Sequence, residues 1–303
     1  MNRRLDSTSA RIFISIIEEG SISRAAVREN VVVSAISKRL SDLEEQLGVA
    51  LVERIASGVK ATPAGDALAH HSRLVLQALD RANEEMMEYA NGVRGHIRVR
   101  VSPSSLAHGL AQKISDHLIL QPSIKIDLEE LSTPQIFSDV LDGRADLGVA
   151  PDILRPSEFQ YVPYADYRLC VVVPRGHEMA SLRAVRYLDA LRYDQVEQRH
   201  TSVLTQLLDQ TAKQGGVAKR TRIRVSSFES MCSMVGSGMG VGVVPSMFKT
   251  VQGRAHGVRF IPLTDPWANS KLVIVFRSLH SLPTAARSLL GHLVPNLGLD
   301  HGN

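Results

Sequence analysis

Apolar residues near the N-terminus recur at helical spacing. Ile12, Phe13, Ile16 and Ile17 put one apolar face on residues 11–19, which predicts an amphipathic helix ending at Gly20. Ser21 or Ser23 can cap a second helix, which carries Ala25 and Ala26. A third helical face follows in Ile36, Leu40, Leu43 and Leu47. Asn30 falls between the second and third helices, and Asn is the residue type most tolerant of positive φ after Gly. Small residues at a crossing, Asn in the turn and an apolar plug beyond it give the spacing of a helix-turn-helix. The face opposite the plug holds Ser34, Ala35, Ser37, Lys38 and Ser41, small or basic groups that suit a major groove and its phosphates.

Beyond Gly48 the period changes. Residues 57–61 read as the end of a hairpin, which makes a winged arrangement with Arg54 and Lys60 as its cations. Thr62 and Pro63 then form an N-cap and N1 pair. A long helical pattern runs from Ala64 to Ala90. Leu68, Val75, Ala82 and Tyr89 repeat every seven residues, with Ser72, Leu79 and Met86 as a companion line. Two interleaved heptad lines predict a dimer seam, since nothing else nearby is expected to pack on this helix. Leu68, Val75, Leu79 and Met86 are the predicted dimerisation residues.

Gly92 and Gly95 bracket an expected hinge, after which strands and helices alternate. The predicted elements are strand 96–101, helix 106–120, strand 124–131, helix 134–141 and strand 146–150. Residues 161–163 lead to strand 169–173 and a second alternating unit: strand 194–197, helix 201–213, strand 223–225, helix 227–235 and strand 241–244. Strand 271–276 and helix 282–293 close the chain. A βαβαβ run implies a parallel sheet with helices on both faces. Two such units joined by two crossings make a bilobed receptor with a cleft. The fold class is therefore α/β, with an N-terminal all-α winged helix-turn-helix and a long linker helix. The expected partition is 1–62 for DNA binding, 63–91 for the linker and dimerisation helix, and 92–303 for the effector domain. Within that domain, lobe I spans about 95–164 and 266–297, and lobe II about 165–265.

Ligands of open α/β sheets lie at the C-terminal ends of strands, near helix starts. That places Ser102, Ser104 and Ser105, then Thr133, then His200, Thr201 and Ser202, then Ser226 and Phe228 around the cleft. Hydroxyls and free N–H groups make an anion cradle, so a carboxylate-bearing small molecule is the expected effector, with Arg199 or His200 as a source of charge.

The order of motifs resembles the LysR-type transcriptional regulator family. The matching residues are Glu19-Gly20-Ser21, Ala25-Ala26, Ala35-Ile36-Ser37-Lys38, Leu43-Glu44, Leu47-Gly48, Glu53-Arg54 and Thr62-Pro63-Ala64-Gly65. In the C-terminal segment they are residues 95–99, 143–148 and 238–245. The effector domain of that family is itself similar to periplasmic solute-binding proteins. The chain departs from the family at Glu29, where an apolar residue is usual, at Val32 and Val33, which replace a Ser/Thr-Gln pair that commonly touches DNA, and at Val52, which replaces Phe. The resemblance implies a dimer or tetramer reading an inverted-repeat operator on double-stranded DNA. Lys38 or Arg39 would contact bases, and Arg54 and Lys60 phosphate or minor groove. The alternative is a small-solute-binding protein without a transcriptional role.

Charge and composition narrow this further. The net charge is +4, and residues 1–60 hold nine Lys/Arg against eight Asp/Glu, so any DNA footprint rests on placement. Aromatics make up 5% of the chain, which disfavours base stacking as the binding mode. The two cysteines, Cys170 and Cys232, form no disulfide framework and read as buried thiols, with a redox sensor as the sharper alternative. Ser230 to Phe248 lacks charge, but its glycines and Pro245 suit helix, turn and strand rather than a membrane span. No signal peptide is read at the N-terminus, and a cytoplasmic location is expected. No HExxH, GxSxG or P-loop occurs, and residues 236–242 fail GxGxxG. Adjacent His70 and His71 point apart on a helix. No cofactor, no metal and no enzymatic activity is expected; His200 within reach of Asp127 or Glu129 would argue for an enzyme.

Overall fold

A computed structural model of the chain describes residues 5–56, 58–90, 95–199 and 202–297, with backbone alone at 84, 85, 88–90 and 296. The chain divides into two compact units at Gly95.

The first unit opens with α1 (Ser7–Glu19), α2 (Ile22–Arg28) and α3 (Val33–Leu47). α1 starts before its apolar pattern because Asp6 caps it, accepting from the Ser9 N–H at 2.9 Å. Ser21 caps α2, and Asn30 adopts φ 55° in the turn. Ala25 and Ala26 are buried at the crossing, and Ile36, Leu40 and Leu43 plug into Ile12, Phe13 and Ile16. Leu47, expected on that face, is exposed; Leu51 is buried in the core instead. The wing is the antiparallel ribbon of β1 (Val52–Ile55) and β2 (Gly58–Ala61). Val59 N–H donates to Gly20 O at 3.0 Å, and a Cβ on Gly58 would lie 2.2 Å from that same oxygen, so the close approach requires glycine.

Thr62 starts α4 (Pro63–Ala90): its hydroxyl accepts from Gly65 N–H at 3.0 Å and donates to Ala50 O at 2.8 Å. The N-terminal part of α4 packs on α1, which corrects the expectation that nothing lay nearby. Ala69 and Ser72 are buried there, and Leu68, half-buried, packs against the same core. Farther along, Val75, Leu79 and Met86 are exposed. The Tyr89 side chain lies outside the described residues, as do the hinge residues 91–94.

The second unit contains β3 (Gly95–Val101), α5 (Pro103–Ser105), α6 (Ala111–Leu120), β4 (Ile124–Glu130), α7 (Thr133–Leu141) and β5 (Leu147–Pro151). β3 pairs in parallel with β4 and β5. The helix expected over 106–120 is interrupted by a π-turn at Leu106–Leu110, where Gly109 takes φ 85°. β6 (Gln160–Pro174) crosses into the second lobe. That lobe adds α8 (Tyr187–Ala190), β7 (Gln195–Gln198), α9 (Val203–Gln214), β8 (Thr221–Val225), α10 (Phe228–Gly236), β9 (Gly242–Pro245), α11 (Lys249–Ala255) and β10 (Val258–Pro262). β11 (Asn269–Phe276) and α12 (Thr284–Leu293) return to the first lobe.

The sheet order is β10-β6-β11-β5-β3-β4, with β9 also on β6. Residues 160–168 of β6 pair with β11, and its later residues pair with β9 and β10. One strand thus spans both lobes, each with its own core. The sheet is mixed rather than parallel throughout, because β11 runs antiparallel to both β5 and β6.

Candidate nucleic-acid interface and effector cleft

In the first unit the charges sort by place. Arg11 pairs with Glu29, Arg24 with Glu19, Arg28 with Glu18 and Glu19, and Arg73 with Glu18. Lys38, Arg39, Arg54 and Lys60 are exposed and form no ion pair among the described residues. Ser34 and Ala35 are exposed beside Lys38 on α3, while Ser37 is half-buried. Arg54 shares a ribbon face with buried Val59, and Lys60 shares the other with Glu53, so the two wing cations project from opposite faces. Hydrogen bonds from Ser9, helped by Arg39, hold the Asp6 carboxyl below its usual range.

Glu29 explains itself structurally. It stands where the family usually has an apolar residue, yet its carboxylate accepts from the buried Ser15 hydroxyl and from Arg11 Nε at 3.1 Å. A polar pair replaces an apolar contact.

In the second unit, Ser102, Ser104, Thr133, Ser202, Ser226 and Phe228 line one cavity of about 330 Å³ between the lobes. Ser105 does not line it: it is fully buried, and its hydroxyl meets Ser102 Oγ at 2.8 Å and donates to Val149 O at 2.9 Å. That corrects its expected place among effector contacts; the buried hydroxyl is used internally, as a second donor to a strand carbonyl that also accepts from Ser102 N–H at 2.9 Å. Ser202 lines the cavity but donates to Gln198 Oε1 at 2.9 Å. His200 and Thr201 lie outside the described residues. Ser104 and Thr133 are more than nine-tenths buried, and their hydroxyls make no hydrogen bond among the described residues.

Glu130, Gln135, Ile153, Tyr167, Leu169 and Gln198 also line the cavity and were not foreseen. Glu130 and Tyr167 sit on strands, where no helix-start signal flags them. Burial raises the Tyr167 phenol, which keeps it a neutral donor. Arg199 lines the cavity, exposed and without an ion pair among the described residues. Asp127 and Glu129 instead bind Arg100 at 3.2 and 3.3 Å, away from the cavity lining. Burial pushes the Cys170 thiol up to about 11 and the Cys232 thiol up to about 12, so both are protonated at neutral pH. No helix among the described residues is long and apolar enough to cross a membrane.

A helix-turn-helix with exposed cations on its third helix and ribbon, followed by a bilobed domain with a small-molecule cavity, defines a ligand-responsive DNA-binding regulator. Two family models match the chain: the bacterial regulatory helix-turn-helix protein of the lysR family over residues 8–66, and the LysR substrate binding domain over residues 90–298. The chain belongs to the LysR family of transcriptional regulators. It is similar to the HTH-type transcriptional regulator YnfL of Escherichia coli (strain K12), 25% identical over 294 residues, 94% of this chain and 96% of YnfL. Its fold is like that of full-length CbnR complexed with its target DNA, at TM-score 0.64 and 20% identity over 95% of this chain and 99% of CbnR. The effector-binding domain of QuiR in complex with shikimate matches 66% of this chain and 96% of that domain, at TM-score 0.58 and 17% identity. Membership makes the chain a ligand-responsive transcriptional regulator with DNA, a small-molecule effector and its own copies as partners. Regulators of this family are generally not enzymes.

Proposed function

We propose that the chain regulates transcription as a homodimer, or as a tetramer built from it, that reads an inverted-repeat operator and answers to a small carboxylate. Ser34, Ala35, Ser37, Lys38 and Arg39 on α3 meet bases and phosphates, and Arg54 and Lys60 of the ribbon meet phosphates. Val75, Leu79 and Met86 form the dimer seam of α4. The working partition is residues 1–62, 63–91 and 92–303, acting in the cytoplasm beside the DNA. Effector binding changes the operator-bound state only as far as its affinity differs between the states it links.

The observation that carries the effector class is the pair of free hydroxyls at Ser104 and Thr133 in one cavity with Arg199. These hydroxyls open onto the cavity, where water satisfies them until a ligand with acceptor oxygens takes its place. The volume of about 330 Å³ suits a small molecule. The starts of α7 and α9, at Thr133 and Val203, add their positive dipole ends. QuiR's shikimate, a hydroxylated carboxylic acid, is a ligand of the same chemistry.

Titration calorimetry of the full chain with small carboxylic acids and their matching amides tests this. An acid that binds at least tenfold tighter than its amide, and loses that margin in Arg199→Gln, supports it. Equal binding of acid and amide overturns it. DNA binding is read by fluorescence anisotropy on the duplex upstream of the chain's own gene, beside a scrambled duplex, at several salt concentrations. Selection from a random duplex pool locates the operator if it lies elsewhere, and no enriched sequence there overturns the DNA reading.

A further inference from the structure

The N-terminal edge of α3 breaks two local rules at once. A helix start favours Ser, Thr, Asp or Asn at the N-cap, because the side-chain oxygen accepts from a first-turn N–H. α1 and α2 obey this with Asp6 and Ser21, but α3 begins at Val32 with no side-chain cap. β-Branched apolar residues also belong inside, yet Val32 is 68% exposed, Val33 46% and Val31 42%. Three consecutive exposed valines stabilise neither the helix nor the core. Violations of local consistency concentrate where function requires them.

We infer that Val32 and Val33 read thymine, packing their methyl groups against the C5-methyl groups of thymines in the operator half-site. This rests on α3 being the helix that enters the major groove. The residues at the N-terminal end of such a helix are the ones that meet base edges. A valine side chain has neither donor nor acceptor, so the hydrogen-bonding pattern of the groove is invisible to it. The C5-methyl of thymine is the apolar group that a base pair presents there. The serines and cations on the same helix, Ser34, Lys38 and Arg39, then supply the polar contacts that set register. A Ser/Thr-Gln pair, usual in the family at these positions, carries hydrogen-bonding groups; this chain reads at the same positions by methyl contact. Its operator is accordingly distinct in half-site sequence from one read by an amide.

The test starts from the duplex selected by the full chain out of a random pool, which is expected to carry thymine in each half-site. Each thymine is then replaced by deoxyuridine, which removes the C5-methyl alone. One lost methyl contact weakens binding about fourfold, and two in one half-site weaken it more than tenfold. The variant Val32→Ser/Val33→Ser removes every γ-methyl group and gains a capping hydroxyl at an exposed helix start, so it keeps the fold of the parent. In it, the ratio of thymine to deoxyuridine affinity is expected to fall below twofold.

Selected half-sites without thymine, or equal affinity for the two duplexes in the parent, overturn the inference and leave the DNA reading intact. A pool with no enriched sequence overturns the DNA reading and the inference with it. An unchanged thymine-to-deoxyuridine ratio in the double serine variant also overturns it. So does a loss of self-association in that variant without change in the ratio, which makes the patch a protein interface.

Discussion

Glu29 gives the sharpest test of how the first unit is held together. Replacing it with alanine strands the Ser15 hydroxyl, which is 2% exposed and whose acceptor is the Glu29 carboxylate. The ion pair from Arg11 matters less: its side chain is 62% exposed against 12% for Glu29, so solvent screens it to at most about 1 kcal/mol. The hydrogen bond to a charged acceptor and the stranded hydroxyl together place the loss at about 2–3 kcal/mol. The paired change Ser15→Ala/Glu29→Leu removes both polar partners and restores the apolar residue usual in the family. It is expected to return to within about 1 kcal/mol of the parent, because replacing both partners by apolar groups is nearly neutral. Hydrogen exchange on α1–α3 peptides in the full chain reads this locally, where a global melt of two units would not. A loss of about 2 kcal/mol speeds exchange about thirtyfold in Glu29→Ala. Less than a twofold change there, or a double variant as unprotected as the single, refutes the reasoning.

Ser104→Ala is expected to weaken effector binding about tenfold or more, while Ser105→Ala leaves affinity unchanged and destabilises the second unit by about 1 kcal/mol, because Val149 O keeps the Ser102 N–H; calorimetry and urea titration check the two effects. Leu79→Asp places a charge in the exposed seam of α4, and sedimentation should then show dissociation toward monomer. His117 is buried, and burial followed by the neighbouring His292 lowers its pKa from 6.5. The unfolded chain therefore takes up a proton near pH 6.5 that the folded chain refuses, so stability is full above that pH and declines below it. His117→Leu should flatten the fall in melting temperature between about pH 7.5 and 5.5; parallel curves would contradict this assignment. Lys60→Gln should reduce the salt slope of operator binding by about 2 in a dimer, and Arg28→Gln, already paired with acids, should leave it unchanged.

The helix-turn-helix was legible because its rules are local. The small crossing residues Ala25 and Ala26, the left-handed Asn30 and Gly20, and the Ile36–Leu40–Leu43 plug each follow from spacing and φ alone. What failed depends on partners distant in sequence. Leu68 follows the heptad line and also packs on the core that α1 builds in its own domain, a contact that no periodicity reveals. Residues 161–163 were read as leading to a strand at 169–173, whereas β6 runs from Gln160 to Pro174 through Pro163, with a register shift against Leu272/Val273 of β11. β10 is a short strand between Gly257 and Leu263 and gave no separate signal. The cleft was located correctly as a place but not in detail. Serines at helix starts look alike in sequence, and only the Val149 carbonyl opposite Ser105 decides that this one turns inward while Ser104 lines the cavity.

Charge shows the same division between what a count can say and what placement says. Nine cations against eight acids in residues 1–60 give no footprint. The pairing is uneven: Glu18, Glu19 and Glu29 take Arg11, Arg24 and Arg28, while Asp42, Glu44, Glu45 and Glu53 share α3 and the ribbon with Lys38, Arg39, Arg54 and Lys60. The cations of α3 and the ribbon, Lys38, Arg39, Arg54 and Lys60, are left without such partners among the described residues. An ion pair on the α1–α2 side contributes little to stability in water. For the proposed interface, the arginines of that side already hold an acid, so the phosphate contacts and their salt dependence fall to the cations of α3 and the ribbon that no acid of the described residues pairs.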